Sequence, residues 1–293
     1  MEALKMEDLL RPIYQERASH TNTLGIIFLE KQKPNSPLTD NFDGILLVIV
    51  KDAEDPWFVK HYEYGDKSAA MHIVDERQLN HWIATSGYRR MIEWVTNGKV
   101  IFDRNEYIEN LKEELRVFPE EKRGLRKVIE FAKLIRSYRE CKELFDTKQY
   151  LDAFSHMVRS LHYLARLAVV EKGLHPEITV WKQVKQVSPD IYKLYEELTE
   201  STESIEKRVE LMLIAAEFEI NSRAKGCSEY LLAVMRKKAN WSIGELKVHP
   251  DVKPYVLDLS ALLEYLVERH IVSVVNIETK GQGIYHRTYK VDN

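Results

Sequence analysis

The pattern of apolar residues changes twice along this chain, and each change marks a different kind of fold. Up to residue 117, short β-branched runs alternate with segments of helical periodicity, as in an α/β domain. Residues 118–225 carry helical patterns alone, which predicts an all-α domain. Residues 226–293 place helical segments before two strand-like runs, which predicts a small α+β module. We therefore expect three domains with these bounds.

The strongest strand signal is the uninterrupted apolar run GILLVIV at residues 44–50, which is typical of a strand buried on both faces. The remaining strands of the first domain are predicted at residues 24–29, 55–66, 69–74 and 99–102. Its helices are predicted at residues 4–17, 76–84, 85–96 and from Asp103 or Asn105 to residue 117. This alternation favours one sheet with helices packed on it.

The middle domain is predicted to contain five helices, at residues 124–145, 149–172, 178–186, 190–198 and 204–224. The second of them has the clearest periodicity. Its apolar residues repeat at helical spacing and predict an interior stripe of a bundle, formed by Leu151, Phe154, Val158, Leu161, Ala165 and Ala168.

The last module is predicted to contain helices at residues 229–238 and 260–269, separated by a linker, and strands at 272–279 and 284–291. The four residues Lys280-Gly281-Gln282-Gly283 join the strands, and glycines there permit the backbone angles of a hairpin turn. Helices followed by a terminal hairpin are the outline of a winged helix.

Composition excludes several classes of protein. The 43 basic residues are balanced by 46 acidic ones, so the chain is not a broadly basic coat for nucleic acid. Only two cysteines occur, in no metal-binding spacing, which argues against a disulfide framework or a zinc site. The longest apolar run is too short to span a bilayer, and the first residues lack the apolar core of a signal peptide. We expect a cytoplasmic protein with no membrane partner.

Two segments carry a resemblance to a known family. Residues 36–50, SPLTDNFDGILLVIV, place Asp40 and Asp43 just before the strongest strand, and residues 97–104 read NGKVIFDR. Both segments, and the order of the three domains, resemble the nucleotidyltransferase superfamily, in the kanamycin-nucleotidyltransferase arrangement and the group of nucleotidyltransferase-like proteins of the Bacillus type. In that superfamily, carboxylates on neighbouring strands hold divalent metals against a nucleoside triphosphate.

The resemblance implies a site. Asp40 and Asp43 would be the catalytic carboxylates that hold Mg²⁺. Separately from the resemblance, Arg89 and Arg90 lie at a helix start, where they are expected to reach the phosphates of ATP or another nucleoside triphosphate; ordinary surface charge is their alternative interpretation. The helical domain would present an acceptor that the sequence does not identify. Asp40 and Asp43 have an alternative interpretation, because aspartates commonly cap loops at the start of a strand.

The sequence also departs from the family pattern. No Gly-Ser pair follows the first strand, where the family contacts phosphate with backbone amides and a hydroxyl. Asp40 and Asp43 are three positions apart, so an extended chain would aim them in opposite directions unless a turn intervenes. The third carboxylate is expected on the next strand, where His72 aligns and Asp75 ends the strand. The chain is therefore either a Mg²⁺-dependent nucleotidyltransferase or a catalytically degenerate relative that acts as a regulator or adaptor.

The terminal hairpin is locally basic, because no acidic residue lies between Glu278 and Asp292. Lys280, Arg287 and Lys290 are therefore predicted to contact nucleic acid through the wing. The preceding helical segment, which would have to read the major groove, is acidic instead. Contact with a protein, or packing within the chain, is the alternative use of this module.

Overall fold

The computed structural model describes residues 5–33, 36–281 and 283–292. The described residues form two compact units. We call Met1–Phe118 together with His175–Ile178 the N-terminal unit, and Pro119–Leu174 together with Thr179–Asn293 the C-terminal unit. None of the described helices is long and apolar enough to cross a membrane.

The N-terminal unit is an α/β domain, as predicted. Its strands are β1 (Thr23–Glu30), β2 (Gly44–Val50), β3 (Trp57–Tyr64), β4 (Lys67–Asp75) and β5 (Lys99–Asp103). Its helices are α1 (Met6–Leu9), α2 (Arg11–Ser19), α3 (Glu76–Thr85), α4 (Arg89–Asn97) and α5 (Tyr107–Arg116). The strands form one sheet in the order β3-β4-β2-β1-β5, in which only β2 and β4 run parallel.

Helices cover both faces of this sheet, and this explains the uninterrupted apolar sequence of β2, all of whose residues are buried. One face packs against α3, α4 and α5 through residues such as Leu47 and Trp94. The other packs against α1 and α2 through residues such as Leu46 and Met6. Alternate residues of β2 therefore enter two different cores.

The prediction of one helix over residues 4–17 was wrong. Residue 4 lies outside the described residues, and the rest forms two helices with Leu10 between them. Pro12 occupies the first turn of α2, where its missing N–H removes no helical hydrogen bond. A proline in the interior of a longer helix would lose such a bond, which is why the helix restarts here.

The C-terminal unit begins with four helices that match the predicted ones closely. They are α6 (Glu120–Asp146), α7 (Tyr150–Glu171), α8 (Val180–Val187) and α9 (Pro189–Glu200). The predicted stripe of α7 holds at Leu161, Ala165 and Ala168, which are buried, but Leu151 is 70% exposed. Leu151 lies in the first turn of α7, at the end of the bundle, so the periodicity extended one turn beyond the core.

The next helix, α10 (Ile205–Met235), joins two segments that we predicted as separate helices. Gly226 lies between the two predicted segments. A glycine in a helix costs only about 1 kcal/mol relative to alanine. Burial of Ala224, Cys227 and Leu231 on either side of it outweighs that cost, and the helix continues.

The chain ends in a winged helix, as predicted. The linker contains three unpredicted elements, which are the short strand β6 (Trp241–Ser242), the helix α11 (Ile243–Val248) and a single 3-10 turn at Lys253–Tyr255. Helix α12 (Leu259–Glu268) and the strands β7 (Val272–Glu278) and β8 (Tyr285–Val291) follow, and the sheet order is β6-β8-β7. Ser242 and Glu245 form a reciprocal capping box that fixes the start of α11. Gln282 of the predicted turn lies outside the described residues.

Candidate functional site

Asp43 lies where the resemblance placed a metal ligand, immediately before β2, but its polar groups hold neighbouring strands together. Its backbone N–H donates to Ser68 O at 2.8 Å, and its carboxylate Oδ2 accepts from Ser68 N at 2.9 Å. Its carbonyl accepts from Lys31 N at 2.9 Å. Asp43 thus links the end of β1, the start of β2 and the start of β4.

Asp40 faces a different part of the domain. Both of its carboxylate oxygens lie close to Nη1 of Arg90, at 2.6 and 2.8 Å. Arg90 belongs to α4, which packs on the face of the sheet opposite to α1. Arg90, predicted to contact nucleotide phosphates, therefore neutralises the carboxylate that was predicted to hold the metal.

The loop before β2 contains a tight turn. Asp40 and Asn41 have positive φ angles of 49° and 71°, so the chain between Asp40 and Asp43 is not extended. Trp94 holds this loop, because its indole N–H donates to Leu38 O at 2.6 Å. Asp40 contacts Arg90 of α4, while Asp43 lines a pocket with Met6 of α1. The two carboxylates therefore have different neighbours.

The parallel pairing of β2 with β4 separates Asp75 from Asp43. Gly44 pairs with Ala69 and Val50 pairs with Asp75, so Asp75 is level with the far end of β2. Six residue intervals of strand correspond to about 20 Å. Asp75 instead caps α3, because its carboxylate accepts from Gln78 N at 2.7 Å. It does not supply the third carboxylate.

His72 belongs to the interior. It is 6% exposed, and its Nδ1 accepts a hydrogen bond of 3.2 Å from the indole of Trp57. Burial, reinforced by the nearby His61, lowers the pKa of His72 to about 4. His72 is therefore neutral at physiological pH. The rings of Trp57 and Trp94 pack against it and in turn contact Trp82 and Tyr88, and we call these five residues the aromatic cluster.

Arg89, the second predicted phosphate ligand, occupies the first turn of α4 with Arg90. One turn further along, Glu93 accepts a hydrogen bond of 2.5 Å from Ile178 N. Burial raises the pKa of Glu93, and the charge of Arg89 opposes that rise. Arg89 thus has an acidic neighbour on its own helix.

The second segment of the resemblance, NGKVIFDR, also has structural contacts. The carboxylate of Asp103 accepts from the backbone N–H groups of Ile108 and Glu109, at 2.9 and 3.1 Å, and so holds the start of α5. The guanidinium of Arg104 donates to the carbonyls of Thr23 and His20, at 2.7 and 3.2 Å. Asp103 and Arg104 therefore fix the end of β5 to the start of β1.

The pocket beside Asp43 has a volume of about 400 Å³ and lies at the edge of the sheet where β1 ends and β2 and β4 begin. We call it the Asp43 pocket. Its charged side chains include three lysines but only two acids, and it is lined by Met6, Glu30, Lys31, Gln32, Lys33, Asp43 and Lys67. Lys67 lies next to the residue that pairs with Asp43, close to where a metal-binding fold would need an acid.

Among the described residues, no group of three or more histidine, cysteine, aspartate or glutamate side chains is arranged to hold a metal ion. A divalent ion at Asp43 would meet one aspartate and one glutamate among three lysines. Magnesium prefers a near-octahedral shell of oxygens and is commonly bound by carboxylates together with phosphate oxygens. The pocket is chemically better suited to an anion than to a bare cation.

The residues predicted to contact nucleic acid lie on or beside the terminal hairpin, and they differ in whether an acidic side chain lies next to them. Lys280 and Lys290 are exposed. Arg287 lies 3.1 Å from a carboxylate oxygen of Glu264 on α12 and stacks over the ring of Tyr289. Lys280 and Lys290 therefore present their charge to solvent, while the charge of Arg287 is shared with an acid.

Helix α12 is tied to the helices before it. Arg136 of α6 pairs with the buried Asp258, at 2.7 Å, and Arg139 of α6 pairs with Glu268, at 3.2 Å. Glu264 and Glu268 of α12 are thus each paired with an arginine. The sequence of α12 contains no lysine or arginine that could contact the phosphates beside the major groove.

Sequence reasoning did not identify the lysines of the Asp43 pocket or the aromatic cluster. The signal for Lys31 and Lys33 was their position directly after β1, where the Gly-Ser pair was sought. Lys67 could be found only once the parallel pairing of β2 and β4 was known. The aromatic cluster joins residues of β3, β4, α3 and α4, whose contacts no local pattern predicts.

Comparison with known proteins agrees with this fold. A nucleotidyltransferase-like family matches residues 6–123, a YgxA-like substrate binding domain matches residues 124–223, and a helix-turn-helix domain matches residues 229–291. YgxA of Bacillus subtilis (strain 168) is 51% identical over 284 residues, which are 97% of each protein. A nucleotidyltransferase-like protein from Exiguobacterium sibiricum 255-15, known from a crystal structure, is 40% identical with a TM-score of 0.80 and covers 98% of this chain and 99% of its own. The chain therefore belongs to the YgxA-like family of nucleotidyltransferase-like proteins.

Proposed function

We propose that this protein is a regulator that keeps the nucleotidyltransferase-like fold, binds a phosphate-bearing ligand in the Asp43 pocket without a metal, and transfers no nucleotide. The observation that carries the proposal is that both aspartates are already engaged within the fold. Asp40 is paired with Arg90, and Asp43 accepts a hydrogen bond from Ser68 N and lines a pocket with three lysines.

Nucleotidyl transfer needs charge stabilisation at the reacting phosphate, which the superfamily obtains from metal ions between convergent carboxylates. Here each carboxylate has a separate structural role, because Asp40 binds Arg90 and Asp43 joins β2 to β4. Lys31, Lys33 and Lys67 can attract phosphate oxygens directly. Binding through lysines requires no magnesium and does not activate an acceptor.

The metal dependence of ATP binding tests this proposal. We expect titration of ATP into the wild-type protein to give the same affinity with Mg²⁺ and with a chelator, or a lower affinity with Mg²⁺, since the metal neutralises the phosphates that the lysines attract. Isothermal titration calorimetry measures both affinities. Binding that appears only with Mg²⁺ would support the enzyme, with Asp40 and Asp43 as catalytic ligands of the metal.

A second proposal concerns the helix-turn-helix domain. We propose that its contact with nucleic acid is made by the hairpin alone, through phosphates and without reading the sequence. The exposed Lys280 and Lys290 support this, and so does the composition of α12. A reading helix commonly contacts base edges and phosphates through lysine, arginine, asparagine or glutamine, and α12 has none of these residues.

Salt dependence of DNA binding tests the role of the hairpin. We expect Lys280→Ala and Lys290→Ala each to lower the slope of log affinity against log salt by about 1, equally for unrelated DNA sequences. Arg287→Ala should lower it less, because Glu264 already shares its charge. Fluorescence anisotropy at several salt concentrations gives these slopes. A preference for one DNA sequence, or slopes that ignore both lysines, would contradict the proposal.

A further inference from the structure

The two edge strands of the five-stranded sheet differ in length and in the regularity of their pairing. Strand β5 has five residues, and its pairing with β1 shifts register between Ile26 and Ile27. Strand β3 has eight residues and pairs with β4 in unbroken register from Trp57 to Tyr64. Among the described residues, β4 is the only strand paired with β3. Short or irregular edge strands resist pairing with other chains, whereas a long regular edge invites it.

Three aromatic side chains of strand β3 are exposed to solvent. Trp57 is 43% exposed, Phe58 42% and Tyr64 61%. Phe58 and Tyr64 lie on the same face of the sheet, because side chains alternate and the two positions are an even number apart. Lys60 is on that face too, and its amine lies 5.7 Å from the centre of the Phe58 ring. These side chains form a row beside an open strand edge.

We propose that two copies of this chain pair through β3, antiparallel, about a two-fold axis that passes His61. The two sheets then continue into one sheet of twice as many strands. A two-fold axis perpendicular to the sheet places the same face of both copies on the same side of the joined sheet. Each residue of β3 can therefore oppose only residues whose side chains point to that same face, which are those an even number of positions away. The axis must therefore pass between one residue of β3 and the same residue of the second copy.

The side chains of β3 indicate which residue lies at the two-fold axis. With the axis at His61, Phe58 of one copy opposes Tyr64 of the other, twice, and Lys60 opposes Tyr62. Aromatic pairs directly opposite each other stabilise a sheet, and a lysine beside an aromatic ring is favourable. With the axis at Lys60, two lysines would oppose each other, which is destabilising. With the axis at Tyr62, fewer residues of β3 overlap and Phe58 falls beyond the paired strand.

A cysteine at the axis tests the register. In an antiparallel pair, opposed Cα atoms lie about 4.5 to 5.5 Å apart, which is within the range that a disulfide bridges. We expect His61→Cys to form a cross-linked dimer under mild oxidation, as resolved by non-reducing electrophoresis. Glu63→Cys is the matched control, because its two copies would lie about 13 Å apart along the strands. The natural cysteines, Cys141 and Cys227, are buried and do not compete.

Sedimentation equilibrium tests the assembly without any cysteine. We expect a dimer of the wild type and a dissociation constant raised about tenfold or more in the double variant Phe58→Lys, Tyr64→Lys, which removes both aromatic pairs. Tyr285→Lys, at an exposed aromatic residue of the hairpin, should leave the dimer intact. A wild type that is monomeric at every concentration would overturn the proposal. Equal cross-linking of His61→Cys and Glu63→Cys would overturn it as well.

Discussion

Replacing Trp94 with alanine is expected to lower the free energy of unfolding of the N-terminal unit by about 4 kcal/mol, as large-to-small changes at buried aromatic residues do. Trp94 is fully buried, and its ring packs against His72 at 4.6 Å and Tyr88 at 5.6 Å between centres. Its indole also holds the loop before β2 through Leu38 O. The substitution therefore removes packing and a hydrogen bond together.

Two matched variants separate these contributions. Trp94→Phe keeps an aromatic ring but leaves Leu38 O without its indole donor, which should cost about 1 to 3 kcal/mol. Trp57→Ala removes a partly exposed ring from the same cluster and should cost less than Trp94→Ala. Urea unfolding followed by circular dichroism measures all three. If Trp94→Ala were no more destabilising than Trp57→Ala, Trp94 would not be the principal packing residue of the aromatic cluster.

Acid is expected to destabilise the N-terminal unit through His72. Burial, with His61 as a second cause, holds the pKa of His72 at about 4, below its ordinary value of 6.5. Between these two values the unfolded chain binds a proton that the folded chain does not, so stability falls as the pH falls. Above pH 6.5 the contribution is constant, and below pH 4 both states are protonated. The loss is about 3 kcal/mol.

The variant His72→Gln isolates this effect, because a glutamine oxygen can accept the hydrogen bond from Trp57 and does not titrate. We expect the difference in free energy of unfolding between wild type and variant to stay constant above pH 6.5. Between pH 6.5 and pH 4 the wild type should lose about 3 kcal/mol relative to the variant. Urea unfolding at a series of pH values measures the difference. A difference that does not vary with pH would mean that His72 takes up its proton without unfolding.

Much of the fold follows from local sequence. The apolar run of β2 and the periodicity of α7 each identified an element from its own residues. Gly226 shows the limit of such reasoning, because the core on either side carries α10 through a residue that favours a break. Ser242 precedes Glu245 by three residues, a spacing that indicates a capping box and the start of a helix. From the sequence we predict only a linker there.

The candidate site was less predictable, for a geometric reason. The spacing of three residues predicts that Asp40 and Asp43 diverge unless a turn intervenes, and a turn at Asp40 and Asn41 does intervene. The parallel partnership of β2 with β4 could not be deduced, and it alone decides that Asp75 is remote and that Lys67 is near. The ion pair of Asp40 with Arg90 joins positions fifty residues apart. Neither contact has a local signature.

The most direct test of a metal-independent site compares ATP affinity in Asp43→Ala and in Asp66→Ala, an exposed control in the turn between β3 and β4. The lysines of the Asp43 pocket should bind phosphate slightly better once the neighbouring carboxylate is removed, so we predict that Asp43→Ala tightens binding by about twofold to fivefold. Asp66→Ala should leave the affinity unchanged, and Lys67→Ala should weaken it. Magnesium-dependent binding that Asp43→Ala abolishes, with Asp66→Ala unaffected, would contradict the account and restore Asp43 as a metal ligand.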